Sequence, residues 1–215
     1  PFYINKNALQ THFQKIAKAN TFMITMTKNG TSGASLDELG YIDKRSFIGR
    51  IVLPVTRWLR AINVEKYIDR DAGPNQRLLD IGCGDGYFLK RSNCEECIGL
   101  DKRLGDEVTD TLDFPANHFD YVTMLAVIEH IIDPLILMKE VHRVLKPGGR
   151  FIMTTPKQAA EFLIHLYVRD IEEEHEIYFD QDSMKIMIDG LFEMANYSTF
   201  ILGLNQVFCL EKPHV

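Results

Sequence analysis

The spacing of the hydrophobic positions changes along the chain. Residues 6–19 suggest a first helix, and the polar, turn-rich segment 27–35 suggests a loop or hairpin. From Ser46 to Ile62 the apolar residues recur at helical spacing, with Pro54 predicted to kink or restart the helix. From Arg77 onward, short apolar runs alternate with helical segments, which is typical of βαβ units and a parallel sheet.

The alternating region predicts a doubly wound α/β fold with a mostly parallel, seven-stranded sheet. Its strands are expected at residues 78–81, 97–100, near Val108, 119–125, 150–154, near 194–200 and at 206–210. The clearest helix is predicted over Pro134–Leu145, with Asp133 as its N-cap and a Lys-Pro-Gly-Gly stop after it. We therefore expect a catalytic or binding domain over residues 70–215 and a helical segment or lid over residues 1–69.

The composition is that of a folded globular protein. The chain has 215 residues, of which 46% are hydrophobic and 25% charged, and no uncharged run reaches the length of a membrane span. Its 4 cysteines are too few for a disulfide scaffold, so a reduced, cytoplasmic protein is expected, with Cys94 and Cys97 as small packed residues.

The net charge of −6 is unevenly distributed. Residues 1–70 hold 11 Lys and Arg against 5 Asp and Glu, whereas residues 71–215 hold 13 against 25. The acidic body should repel nucleic acid. The basic N-terminal segment is a candidate for contact with an anionic substrate or a membrane surface, although a solvated helix face explains the same pattern.

The string LLDIGCGDGYFL, residues 78–89, carries the most chemical information. A buried strand leads into Gly82, Gly84 and Gly86, and glycines let the backbone approach a ligand closely in a sharp strand-to-helix turn. Asp101 follows the next predicted strand, where a carboxylate can accept hydrogen bonds from both hydroxyls of a ribose. The turn and the carboxylate together indicate a nucleoside-containing cofactor.

Two residues of the turn favour S-adenosylmethionine over NAD as this cofactor. A dinucleotide fingerprint needs Gly or Ala at position 87, where this chain has Tyr87. Asp85 places a negative charge where a pyrophosphate would sit, whereas a cofactor with an ammonium and a sulfonium tolerates it.

These motifs resemble the class I S-adenosylmethionine-dependent methyltransferases, in particular the type 11 subgroup related to ubiquinone and menaquinone biosynthesis. The resemblance rests on DIGCGDG at 80–86, Asp101, FDYV at 119–122, IEH at 128–130 and VLKPGG at 144–149. It covers about residues 70–215 and implies the Rossmann-like methyltransferase fold. Only 17 residues separate Asp101 from Phe119, so the usual helix between the second and third strands is expected to be short or absent.

The resemblance also implies roles for individual residues. Asp80 would hold the amino group of the cofactor, the loop Gly82–Cys83–Gly84 would lie against its methionine portion, and Asp101, with Lys102 beside it, would hold the ribose. Adenine would be held near one of four residues between which the sequence does not choose, namely Asp110, Thr111, Leu112 and Asp113. Leu125 and Ala126, at the tip of the fourth predicted strand, would run beside the sulfonium.

Two histidines are candidate bases for methyl transfer to a hydroxyl. His130 follows the cofactor-facing fourth strand, and histidine suits proton transfer near neutral pH. His175 lies in an acidic segment, RDIEEEHEIYFD, where members of the resembled family often cover the substrate pocket. Glu129 and His130 are equally expected to do no more than shape a turn, and no metal site is predicted.

The acceptor is expected to be a small molecule, with O-methylation favoured over N- or C-methylation. The fourth strand ends in MLAV and lacks the Asn/Asp-Pro-Pro-aromatic signature with which related enzymes grip a planar amine. A monomer or homodimer is expected. Two alternatives stay open at this point, a dinucleotide-dependent oxidoreductase and a cofactor-binding interaction protein without catalysis.

Overall fold

A computed structural model describes residues 24–27, 30–32, 53–68, 75–101, 111–160 and 178–214. These residues form one mixed sheet with helices on both faces. The strands are β1 (Ile24–Thr27), β2 (Gly30–Ser32), β3 (Arg77–Ile81), β4 (Glu96–Leu100), β5 (Phe119–Leu125), β6 (Leu145–Pro156), β7 (Glu193–Phe200) and β8 (Asn205–Glu211). The helices are α1 (Leu53–Glu65), α2 (Tyr87–Arg91), α3 (Pro134–Val144) and α4 (Gln181–Ile188), and a 3₁₀ turn spans Ile128–His130.

The centre of the sheet is parallel and its two sides are antiparallel. The strand order is β2-β1-β4-β3-β5-β6-β8-β7, and the pairs β4–β3, β3–β5 and β5–β6 run parallel. Strand order reverses at β3, whose neighbours β4 and β5 both follow it in the chain. Ligands of open α/β sheets bind outside the carboxyl ends of the strands at such a switch point, so the topology places a site beyond β3.

The described strands differ in number from the seven that were predicted. They are eight, namely six of the predicted strands and the two strands of the β1–β2 hairpin, which forms where the sequence suggested a loop or hairpin and joins the sheet. β1 pairs antiparallel with β4, with Thr25 opposite Ile98. The predicted strand near Val108 lies outside the described residues, as does the predicted helix at 6–19.

Alternate residues along the central strands belong to two separate hydrophobic cores, one on each face of the sheet. Leu79, Val122 and Phe151 face one side of the sheet, where α3 and α4 cover them with residues such as Met138 and Met184. The other side carries Leu78, Tyr121 and Ile152, and α1 and α2 cover it with Ala61, Val64, Phe88 and Leu89. Strands buried on both faces explain why the sequence reads as continuous apolar runs here.

Helix α1 is docked through its second half and exposed in its first. Ala61 and Val64 are fully buried against the sheet, whereas Val55 and Trp58 from the predicted apolar stripe are about half exposed. Pro54 lies in the first turn of the helix, where its missing N–H has no intrahelical partner to lose. The division at residue 69/70 stays a prediction.

The predicted start of α3 is confirmed. The Asp133 carboxylate accepts a hydrogen bond from the Ile136 amide, and Pro134 occupies the first helical position. The chain then passes directly from Val144 into β6. The two final strands also fall within one residue of their predicted bounds.

Cys94 and Cys97 form a disulfide at the start of β4, instead of the two separate packed thiols that the sequence suggested. Both cysteines are buried on the α1/α2 side of the sheet, and so are the thiols of Cys83 and Cys209. In the parts of the chain that the structure describes, no helix is both long and apolar enough to cross a lipid bilayer.

Candidate active site

The turn between β3 and α2 is built on three glycines in the left-handed region. Their φ angles are 74° for Gly82, 59° for Gly84 and 70° for Gly86. A side chain at any of these positions would be strained, which explains why the sequence alternates glycine with other residues here. Beyond β3 the turn therefore presents backbone that a ligand can approach closely.

Hydrogen bonds tie the glycine turn to the end of β4. The amides of Gly82 and Cys83 both donate to the Leu100 carbonyl oxygen, at 2.7 and 3.1 Å. The Gly84 amide donates to Oδ2 of Asp101 at 2.7 Å, and Asp101 is only 3% exposed. The Asp101 carboxylate is thus fixed against the turn, at the tip of the strand where the sequence predicted it.

Asp80 is the second buried carboxylate of the site. It is 2% exposed, and Oδ1 accepts a hydrogen bond from the Thr123 hydroxyl of β5 at 2.7 Å. Burial raises the pKa of Asp80 to about 7 despite the Thr123 hydrogen bond, and the negative charge of Asp101 adds to the increase. Two buried carboxylates whose charges interact are a favourable place for a positively charged group.

The outer side of the turn carries an ion pair from α1. Arg57 Nη2 bonds Oδ1 of Asp85, and the guanidinium lies 4.2 Å from the centre of the Tyr87 ring. Burial alone would raise the pKa of Asp85, but the hydrogen bond and charge of Arg57 outweigh it and bring the pKa below its usual value. Because the Arg57 guanidinium offsets the charge of Asp85, this carboxylate would repel a pyrophosphate less than the sequence suggested. The preference for S-adenosylmethionine over NAD therefore depends more on Tyr87.

The tip of β5 approaches the same turn. Leu125 pairs with Thr154 of β6, and the Ala126 amide donates to the Thr154 carbonyl oxygen at 2.8 Å. Ala126 has a φ of 57°, which is uncommon for a residue with a β-carbon and is often found at functional sites. The Val127 side chain lies directly over Gly82, where it would clash with any β-carbon.

The IEH motif forms a single 3₁₀ turn after β5, and its three side chains have different environments. Ile128 enters the core, His130 is exposed, and Glu129 is only 1% exposed. The Thr155 hydroxyl hydrogen-bonds Glu129, while Oε2 of Glu129 and Nε of Arg60 are buried and have no hydrogen-bond partner among the described residues. Burial raises the pKa of Glu129 to about 7, and the positive charge of Arg60 limits the increase.

The loop predicted to hold adenine is only partly described. Leu112 is buried, its amide donates to Oε2 of Glu140 at 2.9 Å, and its carbonyl oxygen accepts from Arg143. Thr111 and Asp113 on either side are exposed. Asp110 and Lys102, like His175 elsewhere in the chain, lie outside the described residues, so their roles stay predictions.

The structure thus brings most of the described candidates to one edge of the sheet. They lie at or just beyond the carboxyl ends of β3, β4 and β5, and comprise Asp80, the glycine turn, Asp101, Leu125 and Ala126. Cys83 is buried next to Gly99, which fits a residue selected for its size. The burial of Glu129 and of the Arg60 Nε atom could not be predicted from the sequence, because a charged side chain buried between a helix and a strand end leaves no periodic signal.

A family model described as "Methyltransferase domain" matches residues 55–191, well over half of the chain. Among curated relatives, the chain is similar to a ubiquinone biosynthesis O-methyltransferase of Ruegeria pomeroyi, with 32% identity over 40% of this chain and 46% of the relative. It is also similar to phosphoethanolamine N-methyltransferase 3 of Arabidopsis thaliana, with 29% identity over 49% of this chain and 27% of the relative. The chain spans about half or less of the length of these two relatives.

Solved structures share the fold at low sequence identity. A complex of the Haloferax volcanii Trm112 methyltransferase activator with a methyltransferase aligns with a TM-score of 0.60 and 14% identity, covering 80% of this chain and 98% of that one. An S-adenosylmethionine-dependent methyltransferase of Mesorhizobium loti aligns with a TM-score of 0.55 and 15% identity, covering 70% of this chain and 96% of that one. At these identities the likeness supports the Rossmann-like fold alone.

Proposed function

The chain belongs to the methyltransferase-domain family, with S-adenosylmethionine as its cofactor, and we propose that it methylates an oxygen of a small-molecule acceptor. The family match extends from residue 55 and therefore includes most of α1 as well as the glycine turn. The fold prediction from the sequence agrees with this family.

One observation carries the proposed cofactor site: Asp80 and Asp101 are both buried at the ends of adjacent strands, and the glycine turn bonds one of them directly. The cofactor offers an ammonium group, a sulfonium and a ribose diol, which are the groups that buried carboxylates favour. We therefore assign Asp80 to the ammonium group, Asp101 to the ribose and the backbone of the turn to the methionine portion.

The protein's own contribution to the reaction is orientation and exclusion of water. S-adenosylmethionine supplies an activated methyl group, so little bond activation is required of the side chains. Holding the acceptor in line with the departing sulfur can lower the barrier by about 7–11 kcal/mol. The strained backbone at Ala126 and the Val127 contact with Gly82 fix the segment where we place the sulfonium.

The choice of oxygen rests on the sequence and on one group of relatives. Several of the similar proteins are named ubiquinone biosynthesis O-methyltransferases, while another is named a phosphoethanolamine N-methyltransferase. We favour a hydroxyl acceptor, with an amine as the alternative. Of the segment 1–69, in which β1 and β2 belong to the sheet, α1 is proposed to act as the lid, supported by the contact of Arg57 with the glycine turn.

Calorimetric titration with S-adenosylhomocysteine and, separately, NAD tests the cofactor site. We expect micromolar binding of S-adenosylhomocysteine and no heat from NAD. Asp101→Asn retains an acceptor for the Gly84 amide but loses the charge, so we expect at least tenfold weaker binding, about 1.4 kcal/mol. Asp189→Asn, an exposed carboxylate after α4, is the matched control and should bind as the wild type does.

The pH dependence of the same titration tests Asp80. Because the pKa of this carboxyl is about 7 in the free protein, lowering the pH from 8 to 6 protonates it and should weaken binding of the ammonium group. Asp80→Asn should bind weakly at pH 8 and lose this dependence. Binding of NAD in place of S-adenosylhomocysteine would contradict the whole assignment.

Transfer of a labelled methyl group to a panel of phenols, catechols, primary amines and phosphoethanolamine tests the acceptor class. We expect turnover with phenols or catechols and little with amines. Turnover with amines alone would contradict O-methylation while leaving the cofactor site intact. Cofactor binding without turnover on any member of the panel would support the non-catalytic alternative.

A further inference from the structure

Glu129 is a buried carboxylate that the roles assigned so far do not use. It is 1% exposed, one oxygen has no hydrogen-bond partner, and the nearby Nε of Arg60 is also buried and unpartnered among the described residues. Buried polar atoms are nearly always hydrogen-bonded in native proteins. An unsatisfied acceptor and an unsatisfied donor in one place therefore indicate a site for a polar ligand.

Contacts from α1 locate Glu129 beside the glycine turn. Arg57 and Arg60 are three residues apart on this helix and therefore lie on the same face. Arg57 bonds Asp85 inside the turn, and the charge of Arg60 acts on Glu129. From the other side, Val127 contacts Gly82 just before the 3₁₀ turn that carries Glu129.

We propose that Oε2 of Glu129 accepts the proton of the acceptor's hydroxyl during methyl transfer, with Thr155 and Arg60 as its positioning residues. This inference rests on the proposed O-methylation. His130, the sequence-based candidate, is exposed on the outer side of the same 3₁₀ turn, whereas Glu129 lies inside. A base must lie inside the site with the bound acceptor, and of these two neighbours Glu129 is the buried one.

The proposed step transfers one proton and one methyl group. The O–H bond of the acceptor breaks, its proton forms a bond with Oε2 of Glu129, and the oxygen electron pair forms the new bond to the methyl carbon. The electrons of the carbon–sulfur bond stay on sulfur, which gives S-adenosylhomocysteine and a neutral Glu129. The proton then returns to solvent after the product leaves.

The surroundings of Glu129 suit a base that works near neutral pH. In the described part of the chain, the charged group acting on it is Arg60 of α1, while β6 contributes the uncharged Thr155. Burial raises its pKa to about 7, so the carboxylate is both available at neutral pH and basic enough to retain a proton. Arg60 prevents burial from raising the pKa further.

The test compares Glu129→Gln with the wild type on a phenolic acceptor from the panel. Gln keeps an oxygen for Thr155 and should leave the affinity for S-adenosylhomocysteine within twofold. We expect kcat to fall at least 100-fold with KM changed less than threefold. With S-adenosylmethionine saturating at every pH, so that the titration of Asp80 does not contribute, the wild-type kcat/KM for the acceptor should rise with pH through about 7 and then level off. This rise reflects loss of the Glu129 proton, and the variant should lack it.

A spectroscopic readout separates the chemical role from a structural one. The probe is 4-nitrocatechol, whose ionised form has its own visible absorption band, added to the complex with S-adenosylhomocysteine near pH 7, where a large fraction of Glu129 is ionised and can accept the probe's proton. We expect the wild type to bind the ionised probe and Glu129→Gln to bind it neutral. Glu129→Asp should recover part of the band, and Glu193→Gln, an exposed carboxylate at the start of β7, should behave as the wild type.

The outcomes distinguish the two proposals. If Glu129→Gln keeps its turnover and the ionised probe while His130→Gln loses both, His130 is the base and the inference is overturned. If phenols are methylated but the probe stays neutral on the wild type, O-methylation stands without Glu129. If no phenol or catechol binds or is methylated, the proposed O-methylation fails and the role of Glu129 fails with it.

Discussion

At the scale of single residues, a position can require glycine because of its backbone conformation, because of close packing, or for both reasons. Gly82 and Gly190 have nearly the same φ, 74° and 72°, but different surroundings. A β-carbon at Gly82 would clash with Val127, whereas no atom of the described residues lies within 4 Å of one at Gly190. Backbone strain is therefore common to both positions, and steric exclusion belongs to Gly82 alone.

Substitution of both glycines by alanine should separate these contributions. Gly190→Ala should cost about 1–2 kcal/mol of unfolding free energy from left-handed strain. Gly82→Ala should cost roughly 2–5 kcal/mol, because overpacking against Val127 adds to the strain. Urea unfolding measures both. Adding Val127→Ala to Gly82→Ala should restore part of the loss, and equal losses at the two glycines would contradict the Val127 contact.

At the scale of elements, α1 connects the N-terminal part of the chain to the site. Its C-terminal half packs Ala61 and Val64 into the core beneath the sheet, and Glu65 pairs with Arg91 of α2. Its preceding turns carry Arg57 and Arg60 to the glycine turn and Glu129. The buried half of α1 therefore determines where Arg57 and Arg60 lie.

Matched valine-to-alanine substitutions on α1 test this docking. Val64 is fully buried and Val55 is 47% exposed, while both gain the same helix propensity from alanine. Val64→Ala should therefore destabilise the protein by about 2 kcal/mol relative to Val55→Ala, through lost burial and a cavity. Urea unfolding gives the difference. Indistinguishable midpoints for the two variants would mean that the helix is not docked as described.

At the scale of the whole molecule, the active-site carboxylates oppose the stability of the ligand-free protein. Burial raises the pKa of both Asp80 and Glu129 to about 7, so the folded state holds their protons more tightly than the unfolded chain does. At low pH both groups are protonated and do not oppose folding. As the pH rises toward their folded pKa, the free energy of unfolding falls. Asp85 and Glu140 have lowered pKa values and act in the opposite direction, at more acidic pH.

The free energy of unfolding of the ligand-free protein should accordingly fall between pH 5 and pH 8. Each buried carboxylate can contribute a loss on the order of 2–3 kcal/mol over this window. The double variant Asp80→Asn, Glu129→Gln should show a flatter profile and greater stability at pH 8. Urea titrations at several pH values measure this, and a wild-type profile that rises over the same window would contradict the burial of both charges.

The amino-acid sequence was sufficient to predict the α/β class, the glycine turn, Asp101 at the end of the next strand and the start of α3. Each of these depends on local rules: periodicity along a strand, the conformational freedom of glycine, and capping by residues adjacent in the chain. The hairpin character of segment 27–35 was also a local signal. Its pairing with β4 was not, because joining a sheet edge depends on which edge the rest of the fold leaves open.

The set of charged side chains that share the site follows from tertiary packing and could not be predicted from the sequence. Arg57 and Asp85 are far apart in sequence, as are Arg60 and Glu129, so no spacing rule connects them. The choice between Glu129 and its neighbour His130 likewise depends on burial, which follows from how the 3₁₀ turn sits against β6 and α1. Raised pKa values arise from that same burial, since removal from water is a property of the packed chain and not of the motif.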